Sequence, residues 1–390
     1  MDAGTDTPCA PDLVYPPLDV DSRQIRLLEI LDNQERIECV LETYDVSEAD
    51  EYIALSYTWG SDDASHVITI NDCDFRVRKN LFDFLSFARQ SLPGELLWID
   101  QICIDQNNVR EKNHQVRFMS KIYKNAESVV AWLGAAENDS DFAMDYLASP
   151  LPDPESDNTP RLEKALMSLF SRPYWSRQWI VQELKLARSA MFFCGEQWVT
   201  GSDFRDFIPF GDTMEMDVRG SHPVVHKLFA GKISQYGRPS YNAVDPSEPY
   251  APPILLDINE EEKKEAADLL RTIYLYCNHQ CVDSRDKVYG LLGLSSEPES
   301  IMKVDYTKTA AELFWDVVNI SVSVIPVSRK GGDGDAMHVT LGELIDRWAH
   351  FFAKLSIEMN VATETLLEAT AVELGKTFEA LQEARITKGI

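Results

Sequence analysis

Residues 95–134 read "ELLWIDQICIDQNNVREKNHQVRFMSKIYKNAESVVAWLG", and the fold turns on how they divide. The opening "ELLWIDQICIDQ" is a nearly continuous apolar run, the pattern of a strand buried on both faces of a parallel sheet. Asn107 or Asn108 stands where a cap is needed for a helix across "VREKNHQVRFMSKIYKNA". Val116, Met119, Tyr123 and Ala126 recur there at three- and four-residue spacing and make one apolar stripe. The closing "SVVAWLG" is short, apolar and β-branched, a second buried strand. Strand, helix, strand is the unit that builds parallel sheets, because a crossover must carry the chain back before the second strand can run in the same direction.

Outward from this unit the same pattern continues. "YIALSYTWG" (52–60) reads as a strand running into a glycine-ended loop, "HVITIND" and "DFRVRKN" as a hairpin across an Asn-Asp turn, and "NLFDFLSFARQSL" as a helix stopped by Pro93-Gly94. Residues 136–160, acidic and proline-rich, read as a surface insertion. "PYWSRQWIVQELKLAR" (173–188) has helical spacing, and "AMFFCG" (190–195) is another apolar strand. The expected fold class is therefore α/β: strands at about 52–57, 96–101, 128–132 and 190–194 side by side in one mostly parallel sheet, with helices on both faces. Ligands of such sheets bind beyond the carboxyl ends of the strands. Residues 1–49 form a lead-in in which "IRLLEI" and "IECVLETY" can pair as a hairpin; residues 50–204 hold the main domain. An irregular connection is expected over 205–262 and a helical C-terminal region over 263–390. In that region "SRDKVYGLLGL" is expected to dock the second region onto the first through an ion pair and packing of Tyr289.

With 64 Asp+Glu against 37 Lys+Arg the chain carries a formal charge of -27, which repels phosphate backbones and anionic lipid and argues against nucleic acid and membrane as partners. The first twenty residues lack the basic start and apolar core of a signal peptide, so a cytoplasmic location is expected. The seven cysteines are odd in number and scattered, unlike a disulfide framework. Cys277 and Cys281 flank His279, but four ligands are needed for zinc and no second cluster accompanies them, so no metal is expected.

One residue organises the search for chemistry. Wound as a helix, 173–188 puts Trp175, Trp179, Ile180, Leu184, Leu186 and Ala187 on one arc, with Glu183 near its centre. A carboxylate there is costly unless it is paired or used. Either it joins Arg172, Arg177 or another base in a buried ion pair, or it is a working acid in a solvent-reachable pocket. At the expected carboxyl edge of the first parallel strand lie Ser56, Tyr57, Trp59 and Gly60, candidates for binding substrate; an aromatic there can stack on a heterocycle. Asp100, near the middle of the expected second strand, is a candidate hydrogen-bond anchor, and Asp105 ends that strand. Glu111, Gln115 and Arg117 open the following helix, where a solvated first turn is expected. Walker-type loops, nucleophile elbows and H-E-x-x-H are absent from the sequence.

The ordered set "YIALSYTWG", "NLFDFL", "LLWIDQICIDQNNVREKNHQVRFMSKIYKNAESVVAWLG", "FSRPYWSRQWIVQEL" and "FFCG", with "DSRDKVYGLLGL" downstream, resembles the heterokaryon incompatibility (HET) domain of filamentous fungi, over about residues 50 to 200 and on to 294. Asp105 stands where that family more often has Asn. The resemblance implies a role in fungal self/non-self recognition that ends in growth arrest or cell death. It further implies a distant relation to TIR domains, hence a flavodoxin-like (TIR-like) sheet, and NAD as a candidate substrate with no bound cofactor. In NAD-cleaving TIR domains the catalytic glutamate lies in a motif resembling W-x-x-x-E-L, which "WIVQEL" matches from Trp179 to Leu184, placing that role on Glu183 and adding Trp179 to the binding residues. A non-catalytic alternative is a module that signals by self-association or by assembly with other incompatibility proteins.

Overall fold

The computed structural model describes residues 15–19, 22–32, 36–47, 49, 51–61, 63–148, 159–203, 261–295, 301–324 and 341–361. The chain divides into two units, Met1–Pro239 and Ser240–Ile390. Most of the expected connection over 205–262 and the stretch 149–158 of the acidic insertion lie outside the described residues, as does the tail beyond 361.

In the first unit the strands are β1 (Gln24–Ile30), β2 (Glu38–Asp45), β3 (Tyr52–Tyr57), β4 (His66–Ile70), β5 (Cys73–Val77), β6 (Leu96–Trp98), β7 (Ser128–Trp132), β8 (Ala190–Cys194) and β9 (Gln197–Thr200). All nine join one sheet in the order β5-β4-β2-β1-β6-β3-β7-β8-β9. Its middle is parallel: β3 pairs with β6 on one side and with β7 on the other, and β7 pairs with β8. The four strands expected to run together do so. The sheet as a whole is mixed, because two hairpins, β1–β2 and β4–β5, extend one side and β9 folds back antiparallel on the other. β1 lies antiparallel against β6 through Leu28 and Leu97, so the lead-in hairpin continues the sheet.

The described residues of this unit also hold helices α1 (Lys79–Ser91), α2 (Asp100–Cys103), α3 (Val109–Asn125), α4 (Ser140–Ala148), α5 (Thr159–Phe170) and α6 (Ile180–Leu186). Asn108 caps α3 by accepting from the Glu111 N–H. Three expectations need correction. The apolar run after Glu95 is a strand only to Trp98; Asp100 accepts the Gln101 N–H through its own carboxylate at 2.7 Å and turns the chain into α2, which buries Ile102 and Cys103. Unbroken apolarity does not separate a buried strand from a buried helical turn. The acidic insertion begins as a packed helix, since Ser140, Ala143, Met144 and Leu147 share a buried face of α4. The stretch 173–188 is not one helix either: a 3-10 turn over Pro173–Ser176 gives way to an extended Arg177, and α6 starts afresh at Ile180.

Glu111 is the fourth correction. It is 4% exposed and forms a two-pronged ion pair with the buried Arg26 of β1, at 2.6 and 3.0 Å, while also accepting the Asp105 N–H. The first turn of α3 is thus a buried clamp on β1, and Arg26 adds a hydrogen bond to the Cys103 carbonyl.

The described part of the second unit holds α7 (Glu261–Tyr276), α8 (Asp286–Leu292), α9 (Ala310–Val324) and α10 (Leu341–Glu358), packed around Leu270, Ile273, Leu291, Phe314, Val317, Phe351 and Leu355. Arg285 of the "SRDK" motif pairs with Asp283 and ties down the carbonyls of Tyr306 and Lys308, and the Tyr289 hydroxyl reaches the Asp305 carbonyl. The ion pair of this motif is therefore local, and its hydrogen bonds join segments of its own unit. No described helix is long and apolar enough to cross a membrane.

Candidate functional site

The parallel strands β6, β3 and β7 end at one edge of the sheet, and the chain order reverses between β3 and β7. At that edge the residues expected to act together are largely brought together. Ser56, next to last in β3, is fully buried, and its hydroxyl donates to Glu183 Oε2 and lies 2.8 Å from the Tyr174 hydroxyl. Glu183 is 1% exposed, closed off from bulk water, where an open pocket was expected. The break in the helix explains the change: the extended Arg177 turns back beside α6 and sets Nη1 3.5 Å from Glu183 Oε2. Of the two arginines considered as partners, Arg177 takes the role. Arg172 donates instead to the carbonyls of Leu133 and Ala135, at 2.8 and 3.0 Å.

The electrostatics follow from this burial. Desolvation pushes the Glu183 carboxyl up to about 7, against the opposing pull of the Arg177 cation and the Ser56 hydroxyl. Burial also raises Asp100, again with Arg177 and the Trp59 N–H pulling the other way. Arg177 itself is disfavoured as a cation by burial, but the carboxylates of Glu183 and Asp100 outweigh that and hold it protonated. The Tyr174 and Tyr123 hydroxyls, raised well above the usual phenol range by burial and by the charge of Glu183, stay protonated as donors.

Asp100 anchors hydrogen bonds as expected, though from the start of α2. It accepts Trp59 Nε1 at 2.9 and 3.1 Å, while the Tyr57 hydroxyl donates to Gln101 Oε1 at 2.9 Å. Trp59 is half-buried and is covered by Arg78, whose guanidinium lies 5.2 Å from the ring centroid. Gly60 turns the chain at φ +78°, and its carbonyl accepts from Arg78. Trp179 contributes through its backbone: its carbonyl accepts the N–H groups of Gln182 and Glu183, which starts α6.

Sequence reasoning missed Tyr174, Arg78, Asn80 and the pair of buried glutamines, Gln178 and Gln182. Asn80 bridges two strand ends, donating to the Thr58 carbonyl at 2.6 Å and accepting Trp132 Nε1 at 3.0 Å. Gln178 and Gln182 are buried beside Glu183 in the chain with side-chain amide atoms that find no hydrogen-bond partner in the structure. A signal was present for these two, since polar residues at i and i+4 bracket the same turn as the carboxylate. Among the described residues no group of three or more His, Cys, Asp or Glu side chains is placed to hold a metal.

A carboxyl poised near neutrality, with a serine and a tyrosine hydroxyl in line and one arginine beside it, can hold or release a proton at physiological pH and can stabilise a nearby positive charge when ionised. Residues 52–183 match the family model of the heterokaryon incompatibility protein (HET). The matched segment opens on the first residue of β3 and closes on Glu183 itself. Over 357 residues the chain is 29% identical to heterokaryon incompatibility protein 6, OR allele, of Neurospora crassa, a similarity covering 75% of this chain and 51% of that protein. The chain thus spans about half the length of the curated relative it matches. No solved structure matches.

Proposed function

We propose that this chain acts in heterokaryon incompatibility as a cytoplasmic effector of fungal self/non-self recognition, and that its HET segment cleaves NAD or a related nucleotide at Glu183 to bring about growth arrest or cell death. The first half rests on the matched segment and on the Neurospora relative. The second rests on one observation: the carboxyl that stands at the W-x-x-x-E-L position is raised to about 7 and is hydrogen-bonded to Ser56 at the carboxyl end of the central strand. The order β6-β3-β7-β8, in which the first strand in sequence lies between the second and third, supports a flavodoxin-like, TIR-like relation.

Cleaving a ribosyl-nicotinamide bond passes through an oxocarbenium-like state. Ionised Glu183 would stabilise that charge, and nicotinamide, already cationic on its ring, departs without needing a proton. Arg177 and Ser56 hold the carboxylate in place. A second reading, a non-catalytic module that signals by self-association or by assembly with other incompatibility proteins, is favoured by the near-complete burial of Glu183 and its pairing with Arg177. The purified full chain incubated with NAD separates the two. Under the catalytic reading NAD is consumed and Glu183→Gln slows consumption on the order of 10²-fold or more. If the wild-type chain leaves NAD and related nucleotides intact while still arresting growth when expressed in a fungus, the assembly reading stands.

A further inference from the structure

A buried cation at the mouth of the sheet is left without full use by the site just described. Arg172 is 7% exposed, and its Nη1 is saturated by the carbonyls of Leu133 and Ala135 in the turn after β7. Its Nη2 is buried without a hydrogen bond, and Glu137, whose side chain is mostly exposed, comes no closer than 3.9 Å. A guanidinium is a rigid fork whose donors suit the oxygens of a phosphate, and a buried donor left unmade is costly. One edge of this fork fixes the loop, and the other keeps a buried donor without a partner, which an anion would satisfy.

The surroundings are cut to admit one. Both turns at the reversal point carry a glycine in the left-handed region, Gly60 at φ +78° after β3 and Gly134 at φ +107° after β7. A Cβ on Gly134 would sit 3.1 Å from Arg172 Nη1, whereas one on Gly60 would meet only the Asn80 Cβ, at 3.7 Å. Gly134 thus makes room for the Arg172 guanidinium itself, whereas the bare backbone at Gly60 leaves space beside it. Asn80 ties the two strand ends together. Arg78 adds a second cation on the β3 side, held across the Trp59 ring and donating to the Gly60 carbonyl at 3.3 Å. In a chain of net charge -27, Arg172 thus holds the turn after β7 and Arg78 the turn after β3.

We propose that this mouth, between the turns after β3 and β7, is an anion site that takes the phosphate of a phosphate-bearing small molecule on Arg172, with Arg78 closing on it. The inference deepens the nucleotide reading by naming the ligand chemistry, yet it is carried by residues that reading does not use. The fork holds the phosphate by charge-assisted hydrogen bonds, so the site discriminates by the anion first and by the rest of the ligand second.

Isothermal titration calorimetry of the full chain with ADP, inorganic pyrophosphate and adenosine tests it. ADP and pyrophosphate are expected to bind, and adenosine at least about tenfold more weakly. Pyrophosphate binding as tightly as ADP assigns the site to the bare anion, and tighter binding of ADP assigns it to a nucleotide. Arg172→Lys, which keeps the charge but loses the fork, and Arg78→Gln, which removes a charge, are each expected to weaken both phosphate ligands by about tenfold or more, and Arg78→Gln alone to make what remains less salt-sensitive. Should Arg172→Lys not fold, as judged by its melting temperature, Arg78→Gln carries the test alone. Failure of both phosphate compounds to bind, or binding indifferent to the variants, overturns the site. A chain that consumes NAD through Glu183 but ignores ADP and pyrophosphate defeats this inference alone, and a chain that binds both without consuming NAD defeats only the catalytic reading.

Discussion

Replacing Glu183 by glutamine should change the pH dependence of stability in a calculable way. The carboxyl titrates at 4.5 in an unstructured chain and at about 7 in the fold. Below the lower value both states carry the proton, so the group adds nothing to the pH dependence. As pH rises between the two values the unfolded chain releases its proton and the folded chain keeps it, so the contribution to stability is lost progressively. Above about 7 both have released it and the loss is complete. The interval between the two values is worth about 3 kcal/mol. Glutamine holds the shape of the neutral acid and does not titrate. Denaturant unfolding of wild type and Glu183→Gln at a series of pH values should therefore show the variant gaining about 3 kcal/mol on the wild type between roughly pH 4 and pH 8. A difference that stays constant across that range would refute the reasoning. A variant that instead loses ground as pH rises would mean that Glu183 is ionised throughout and serves as a fixed partner of Arg177.

Four further outcomes follow from the same coordinates. Ser56→Ala removes a hydroxyl that favours the ionised carboxylate, so the midpoint of the Glu183 titration, followed by NMR of the labelled side chain, should move upward. Glu111→Gln strands the buried Arg26 and should cost about 3–5 kcal/mol in urea unfolding; a cost under about 1 kcal/mol would place the pair among exposed bridges. Gly195→Ala forces a side chain onto φ +59° with its Cβ 2.9 Å from that of Ala136, so a loss of at least about 1–2 kcal/mol is expected by thermal denaturation. Trp175→Ala empties a fully buried site stacked on Phe192, and calorimetry should register about 3–5 kcal/mol.

What could be read in advance was whatever depends on local periodicity. The strands around Tyr52–Tyr57, Ser128–Trp132 and Ala190–Cys194 are mostly apolar on both faces, and that is visible in the letters alone. The turn into α2 was not, because Asp100 interrupts an apolar run by binding its own backbone, an event of hydrogen bonding rather than of pattern. For the same reason Glu111 looked like a solvated helix start. Its partner Arg26 lies 85 residues earlier, and only the antiparallel placement of β1 beside β6 brings the two together. Ser56, Tyr57, Trp59 and Gly60 were named from a strand end, Asp100 from the middle of an expected strand and Glu183 from a helical wheel. The wheel found Glu183 although 173–188 is not one helix, since α6 alone carries Ile180, Glu183 and Leu184 inward. Tyr174 and Asn80 escaped notice because their roles arise where separate segments meet.

The insertion of β1 beside β6 has a practical consequence. A fragment trimmed to residues 52–183, the span that the family match suggests as a unit, discards β1 on one flank and β8 on the other. Both β6 and β7 would then present raw edges of unpaired N–H and C=O groups, a template for intermolecular stacking. Such a fragment should precipitate for reasons unrelated to the chemistry at Glu183. Cutting instead near residues 15 and 203 keeps the flanking strands, and with them the Arg26–Glu111 clamp that fastens β1 to α3.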